Sequence, residues 1–221
     1  MSDPLPVKQR LSPKQLRMTQ QVFAAICETI GTRGAETGGI LGGNRQTGEV
    51  THFFFDETPR QKTSVLYEPN TALLNEVKRN QWKPEGIAYL GSIHSHPPSF
   101  RRPSRGDEES AGRILEVLEV PYILVPIVTT LVDTGSVTLY PFAAELDDGR
   151  VRIIEQELIV GGSLIRPAKQ PAQEARAETG EHLAFLMGLS ASALFQVDSP
   201  RAYRVLRSYQ FWQEFRRDDY D

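Results

Sequence analysis

The chain has 221 residues, of which 39% are hydrophobic and 24% are charged, so it can form an ordinary globular core. This length excludes a disulfide-stabilised miniprotein and suits one large domain, or one domain with an appendage. The 25 Lys and Arg residues nearly balance the 28 Asp and Glu residues, and the net charge of −3 argues against general nucleic-acid binding.

Cysteine and histidine are both rare in this chain. Cys27 is the single cysteine, which excludes an internal disulfide and a cysteine-rich zinc module and suits a reducing compartment. A transition metal would therefore be held by carboxylates and by the histidines, which are His52, His94, His96 and His182. No stretch approaches the length of a membrane span, and the polar N-terminus is unlike a secretory signal. We expect a cytoplasmic protein that does not contact a membrane.

The first third of the chain predicts one helix followed by strands. Ser12 and Pro13 are typical of a helix start, and apolar residues continue at helical spacing to Ile30. The following segments, in chain order, predict strands at 38–43, 50–55 and 64–67, a helix over 70–82 and a buried strand over 86–93.

The middle of the chain continues the alternation of helix and strand. An amphipathic helix is predicted over 107–118, and residues 121–129 predict a central strand despite Pro126. Two further strands, 137–142 and 151–160, are separated by the turn sequence DDGR. The pattern predicts one mixed α/β domain over residues 1–161.

The C-terminal part differs in composition. Residues 162–180 are rich in Pro, Ala and charge and predict a linker, and residues 181–221 predict a helical appendage. The last helix carries many aromatic residues. It either packs on the domain or presents an aromatic surface to a partner.

Two histidines, His94 and His96, follow the buried strand at a spacing of two residues. Residues i and i+2 of a strand point to the same face, so both imidazoles can bind one metal ion. Asp107 begins a predicted helix and can supply a carboxylate from the other side, which leaves one position for water as in catalytic zinc sites. Glu36, upstream and next to a glycine-rich strand, is a candidate proton acceptor.

These residues carry a family resemblance. His94-x-His96, followed by seven residues, Ser104, two residues and Asp107, matches the JAMM motif without a gap, and Glu36 matches the upstream glutamate of the same family. The chain resembles an MPN-plus (JAB/JAMM) zinc metalloprotease over residues 10–160. The resemblance implies a mixed, strongly curved sheet flanked by helices, as in cytidine deaminases, and cleavage after the C-terminal tail of a ubiquitin-like protein.

The resemblance also implies a role for each matching residue. His94, His96 and Asp107 would bind one zinc ion, Glu36 would be the general base, and Ser104 would donate a hydrogen bond to the oxyanion. Ser95 is more simply interpreted as a spacer within the strand.

Two departures from eukaryotic members stand out. Ser92 replaces a common aromatic residue, and no long insertion follows Asp107. The chain therefore resembles a compact, bacterial-type member. Such proteins are often encoded beside ubiquitin-like, activating-enzyme-like and conjugating-enzyme-like proteins, which are the partners that the resemblance implies.

Three arginines, Arg101, Arg102 and Arg105, lie between the second histidine and the aspartate. They are either a solvated loop or cations that bind an acidic patch of the substrate. His52, His182 and Cys27 are interpreted as structural residues.

Two other functions remain open at this point. One is a non-catalytic MPN scaffold, and the other is a zinc hydrolase that acts on a small amino-acid conjugate. A nucleobase deaminase of the type with a PCxxC pair is excluded because the chain has one cysteine.

Overall fold

The computed structural model describes residues 12–33, 36–63, 66–131 and 134–165. Within these ranges the chain forms three α-helices, which are α1 (Gln20–Thr29), α2 (Thr71–Val77) and α3 (Arg105–Leu118). The strands are β1 (Gln15–Met18), β2 (Gly38–Asn44), β3 (Glu49–Phe55), β4 (Gln61–Thr63), β5 (Leu66–Glu68), β6 (Ala88–Ser95), β7 (Tyr122–Leu124), β8 (Ile127–Thr130), β9 (Val137–Tyr140), β10 (Phe142–Asp147), β11 (Arg150–Glu155), β12 (Glu157–Val160) and β13 (Ser163–Ile165). The predicted helical appendage, with His182, lies outside the described residues, and β13 lies where the linker was expected to begin.

The main sheet contains 11 of the described strands, and β4 and β5 form a separate hairpin. Its order is β11-β10-β7-β6-β2-β3-β1-β12-β13, with β8 and β9 joined beside β6. Strands β11 and β12 lie far apart in this order, although only Gln156 separates them in the chain. The sheet must therefore curve strongly to bring these strands together. This half-barrel confirms the predicted class of a mixed, strongly curved sheet flanked by helices.

The sheet separates two hydrophobic clusters. Adjacent residues of a strand point to opposite faces, and Ile40 and Leu41 of β2 accordingly lie in different clusters. Helix α1 packs in the cluster of Leu41, whereas α2 and α3 pack in the cluster of Ile40. Strand β2 is thus buried on both faces, which explains its apolar, glycine-rich sequence.

The prediction of a single helix from Ser12 to Ile30 is wrong. Residues Gln15–Met18 form β1, which pairs in parallel with β12 and β3. Helix α1 begins only after Thr19, whose hydroxyl accepts a hydrogen bond from the Val22 N–H at 3.2 Å. Leu16 and Met18 are buried on the sheet at the spacing of two that a strand requires. Leu16 also lies seven residues before Phe23, which is a helical spacing, and this extended the predicted helix back over β1.

Two predicted strands are each divided at a proline. Pro126 separates β7 from β8, and Pro141 separates β9 from β10, because proline has no N–H to continue a ladder. The register on β6 is kept across the first break: Gly91 pairs with Leu124, and His94 pairs with Ile127. The pairing register with β6 is therefore the same on both sides of Pro126. On the edge away from β6, the partner strand changes from β10, which pairs with β7, to β9, which pairs with β8.

The predicted strand 151–160 is also divided, at Gln156, where the chain leaves one end of the sheet order for the other. The DDGR turn before it is confirmed as a hairpin between β10 and β11. Asp148 and Gly149 both have positive φ values, 50° and 73°, as a two-residue turn of this type requires. None of the helices within the described ranges combines the length and the apolar character needed to span a membrane.

A buried carboxylate connects the N-terminal end of the described residues to β10 and β11. Glu145 on β10 is 1% exposed and accepts hydrogen bonds from the Ser12 N–H at 2.9 Å and from the Arg152 guanidinium. Burial raises the pKa of the Glu145 carboxyl, but the hydrogen bonds from Arg152 and Ser12 outweigh it and hold the pKa below its ordinary value.

We expect Glu145→Gln to lower the free energy of unfolding at pH 7 by about 1–3 kcal/mol, because Arg152 then lacks a charged acceptor. Because folding lowers the pKa of Glu145, its carboxylate contributes fully to stability at a pH above its pKa in the unfolded chain. This contribution is lost as the pH falls through the lower pKa that Glu145 has in the folded state. The difference between wild type and variant should therefore shrink below about pH 4.3. Urea denaturation at pH 7 and pH 3 measures this difference. Glu49→Gln, at an exposed position of β3, is the control, and a difference that is independent of pH would contradict the prediction.

Candidate metal centre

A β-bulge in β6 determines which face carries the histidines. The pairing with β2 shifts by one residue between Leu41 and Gly42, so that Leu90 is an additional residue on β6. Tyr89 packs on the side of α3, whereas Leu90 and Ile93 both pack on the side of α1. Beyond the bulge, His94 therefore points toward the face that carries α3.

The two imidazoles and one carboxylate converge on a single point. The Nε2 atoms of His94 and His96 lie 2.9 Å apart. The Asp107 oxygens Oδ1 and Oδ2 lie 3.2 Å from His94 Nε2 and 3.4 Å from His96 Nε2, respectively. In a tetrahedral zinc site with the usual bond lengths, neighbouring ligand atoms lie about 3.3 Å from one another. The donor atoms of these three residues therefore have the spacing and the chemistry of a zinc-binding set.

Asp107 is held in place by the start of helix α3. Ser104 is the N-cap: its Oγ accepts from the Asp107 N–H at 3.3 Å, and its own N–H donates to Asp107 Oδ2 at 2.6 Å. This capping box requires a spacing of three residues, which is the Ser-x-x-Asp spacing of the motif. The helix begins at Arg105, two residues before the predicted start.

Glu36 lies two residues before the first residue of β2 and is 7% exposed. One of its oxygens lies within 4.8 Å of a ring nitrogen of each of the two histidines, so Glu36, His94 and His96 also form a group able to hold a metal ion. Burial raises the pKa of the Glu36 carboxyl, an effect that the two imidazoles oppose and that Asp107 reinforces.

The charges of the cluster stabilise one another. Burial alone would raise the pKa of Asp107, but His94, His96 and Ser104 together hold it below its ordinary value. Burial alone would lower the pKa of His94, but the hydrogen bond and charge of Asp107, with the charge of Glu36, raise it. The cluster thus favours a carboxylate anion beside the imidazoles.

The orientation of His96 depends on a backbone group that sequence reasoning missed. His96 Nδ1 lies 3.2 Å from the carbonyl oxygen of Phe100. An imidazole that donates from Nδ1 to this carbonyl keeps the lone pair on Nε2, the atom that faces His94 and Asp107. Phe100 itself is 55% exposed beside the site. This contact is made by a backbone carbonyl group, so it depends on the path of the loop. The residue type at position 100 does not predict it.

The three predicted arginines lie in the loop after His96 and at the start of α3. All three are exposed: Arg105 pairs with Glu109 at 3.1 Å, and the Arg102 guanidinium lies 5.7 Å from the centre of the Phe142 ring. Ser104, at the end of the same loop, is exposed too.

The structure also shows what surrounds three other residues considered from the sequence, which are His52, Cys27 and Ser95. His52 lies on β3 beside Trp82, with 6.4 Å between ring centres. Cys27 on α1 is half-buried, and burial raises the pKa of its thiol. Ser95, between His94 and His96, is hydrogen-bonded to Thr37, a residue that sequence reasoning did not single out.

Comparisons with solved structures give distant similarities. A protein from Desulfitobacterium hafniense, solved in solution, is 20% identical with a TM-score of 0.47, covering 67% of this chain and 94% of its own. A JAB1/MPN domain protein from Archaeoglobus fulgidus is 19% identical with a TM-score of 0.37, covering 65% of this chain and 98% of its own. A protein from Salinibacter ruber, also solved in solution, is 21% identical with a TM-score of 0.41, covering 70% and 93%.

No curated protein sequence matches the chain. A family model does: the model of prokaryotic homologs of the JAB domain matches residues 19–140, which is more than half of the chain. The matched range extends from the N-cap of α1 to the end of β9 and contains Glu36, His94, His96, Ser104 and Asp107. The chain therefore belongs to the family of prokaryotic JAB-domain proteins.

Proposed function

We propose that this protein is a zinc-dependent isopeptidase or peptidase that cleaves the bond after the C-terminal tail of a ubiquitin-like protein. The observation that carries the proposal is the convergence of two imidazoles and the Asp107 carboxylate, with a fourth, buried carboxylate residue beside them. A scaffold that only positions partners would have no need of this donor set.

The distances support different roles for the two acidic residues. Asp107 Oδ1 lies 3.2 Å from His94 Nε2 and Oδ2 lies 3.4 Å from His96 Nε2, and the carboxylate is held by the N-terminus of α3. Asp107 is thus the better third ligand. Glu36 is then the proton acceptor, since its buried side chain lies beside the same two imidazoles.

The residues of the chain then perform the proton transfers of amide hydrolysis. Zinc bound by such a set activates water as a nucleophile and polarises a carbonyl. A Glu36 carboxylate oxygen accepts the proton of the attacking water as the new C–O bond forms. It then delivers this proton to the amine nitrogen as the C–N bond breaks. The products are a carboxylate and an amine, and no further reactant is needed.

Ser104 is equipped to stabilise the oxyanion. Its Oγ uses a lone pair to accept the Asp107 N–H, and a hydroxyl has two lone pairs and one proton. In the structure this proton is within reach of the Asp107 carboxylate, whose pKa it helps to lower. Rotation of the hydroxyl would direct it instead to the oxygen of the tetrahedral intermediate.

The surroundings of the site favour a protein tail over a small conjugate. The described loop from His96 to Asp107 presents exposed Phe100 and three exposed arginines rather than a closed wall. An aromatic side chain and nearby cations are typical of surfaces that bind polypeptides. An extended, glycine-rich tail would bind here. The other partners of this protein would be activating- and conjugating-enzyme-like proteins of the same cytoplasmic pathway.

We expect the protein to bind one zinc ion and to be stabilised by it, by about 4 kcal/mol at a free zinc concentration 1,000 times the dissociation constant. Asp107→Ala and His94→Ala should lose the bound zinc and the stabilisation, because each removes a ligand. Glu108→Ala removes an acidic residue of the same helix turn without touching the cluster and should keep both. Metal analysis and thermal unfolding measure the effect. Equal zinc contents in Asp107→Ala and Glu108→Ala would show that Asp107 is not a ligand.

Glu36→Gln should lower kcat by about 10²–10⁴-fold while the bound zinc is retained, because an amide cannot accept the proton. The probe is a ubiquitin-like protein with a C-terminal Gly-Gly, joined through an amide bond to aminomethylcoumarin. The matched control is Glu49→Gln. Undiminished cleavage by Glu36→Gln, or by the chelated wild type, would exclude the proposed mechanism. Cleavage of a short amino-acid conjugate but not of the protein probe would favour the small-substrate hydrolase.

Ser104→Ala should have two separable effects. Loss of the N-cap should lower the free energy of unfolding by about 1 kcal/mol. Loss of the oxyanion donor should lower kcat by about 10²–10³-fold. Ser104→Thr keeps the hydroxyl and should keep most of the stability and most of kcat. The pair of variants therefore distinguishes a role of the hydroxyl from a general disturbance of the loop. A loss of kcat that only follows the loss of zinc would contradict the oxyanion role.

A further inference from the structure

Ser95 makes contacts that a spacer residue does not need. It is 3% exposed, as is Thr37. Its Oγ accepts a hydrogen bond from the Thr37 N–H at 3.0 Å and lies 3.3 Å from the Thr37 carbonyl oxygen, to which it donates. The two side-chain hydroxyl oxygens are 3.1 Å apart. Because neighbouring residues of a strand alternate, Ser95 lies on the face opposite the imidazoles.

This contact extends the pairing of β2 and β6 beyond the end of the ladder. The last paired residues are Gly38 and His94. One residue further, the Ser95 N–H donates to the Thr37 carbonyl at 2.7 Å, but the Thr37 N–H donates to the Ser95 hydroxyl. In a continued antiparallel ladder, a backbone carbonyl would accept that bond. The next backbone donor of β6, the His96 N–H, binds Val128 on the other edge.

We propose that Ser95 is a positioning residue for Glu36. Glu36 is attached directly to Thr37, which lies one residue past the ladder and is held there by the Ser95 N–H and by the Ser95 hydroxyl. The hydroxyl binds the Thr37 N–H, the backbone donor that directly follows Glu36. This inference rests on the proposed role of Glu36 as the proton acceptor. The geometric part of the inference is that Ser95 fixes the position of the Glu36 carboxylate relative to the imidazoles. This part can be tested without measuring activity.

The variants separate positioning from general stability. Ser95→Ala removes the acceptor and leaves the Thr37 N–H buried without it. Ser95→Thr keeps the hydroxyl. Thr37→Val removes only the hydroxyl of Thr37 and keeps its N–H. Thr130→Val is the matched control, because it removes a hydroxyl that donates to the Gly31 carbonyl and touches neither Glu36 nor Thr37.

The first measurement does not depend on activity. Crystal structures of the zinc-loaded wild type and Ser95→Ala should show the Glu36 carboxylate displaced by about 1 Å or more in the variant, or spread over several positions. Hydrogen exchange of the Thr37 amide should accelerate at least about tenfold, with the core amides of β6 unchanged. An unmoved carboxylate, or exchange that accelerates equally throughout the domain, would overturn the inference.

The second measurement is kcat and KM on the Gly-Gly aminomethylcoumarin probe. Ser95→Ala should lower kcat by about 10–100-fold at unchanged KM and unchanged zinc content, because a misplaced proton acceptor affects the chemical step. Ser95→Thr and Thr37→Val should stay within about threefold of wild type, as should Thr130→Val. A kcat equal to wild type in Ser95→Ala would overturn the inference. If the zinc-loaded wild type does not cleave the probe, the proposed function fails, and the structures and exchange rates alone decide the role of Ser95.

Discussion

Strand β6 is paired with β2 along one edge and with β7 and β8 along the other. A strand held on both edges cannot shift its register without breaking two ladders, and a slip of one residue would turn His94 and His96 to the opposite face. At Gly91 the approach of β7 is so close that a Cβ atom would lie 1.9 Å from the Leu124 carbonyl oxygen. The geometry of the candidate metal centre is therefore set by backbone pairing before any ligand side chain is considered.

Local sequence signals predicted much of the site because its chemistry is encoded at short range. The spacing of two between His94 and His96 requires only that they lie on one strand, and the position of Asp107 requires only that a helix begins beside it. Neither inference needs knowledge of the rest of the sheet. The order of most strands and helices was also predictable, since each has its own apolar pattern and turn residues.

The remaining features depend on distant partners and have no local signal. Whether the histidines face α3 or α1 is decided by the bulge at Leu90, which exists only in the pairing with β2. Leu16 and Met18 form a strand because β3 and β12 offer edges on both sides. Ser95 was interpreted as a spacer because its partner, Thr37, lies 58 residues away. Non-local hydrogen bonds override local propensity in each case.

The capping box at Ser104 also bears on the order in which the proposed metal-binding residues come together. His94 and His96 are near neighbours in the chain, so they can act together as soon as one short strand is extended. Asp107 reaches the cluster only when the first turn of α3 has formed, because the Ser104 hydrogen bonds orient its carboxylate. During synthesis, an ion would thus be held first by two imidazoles and fully only after helix nucleation. At the proposed metal site, complete coordination would then report that the first turn of α3 has formed.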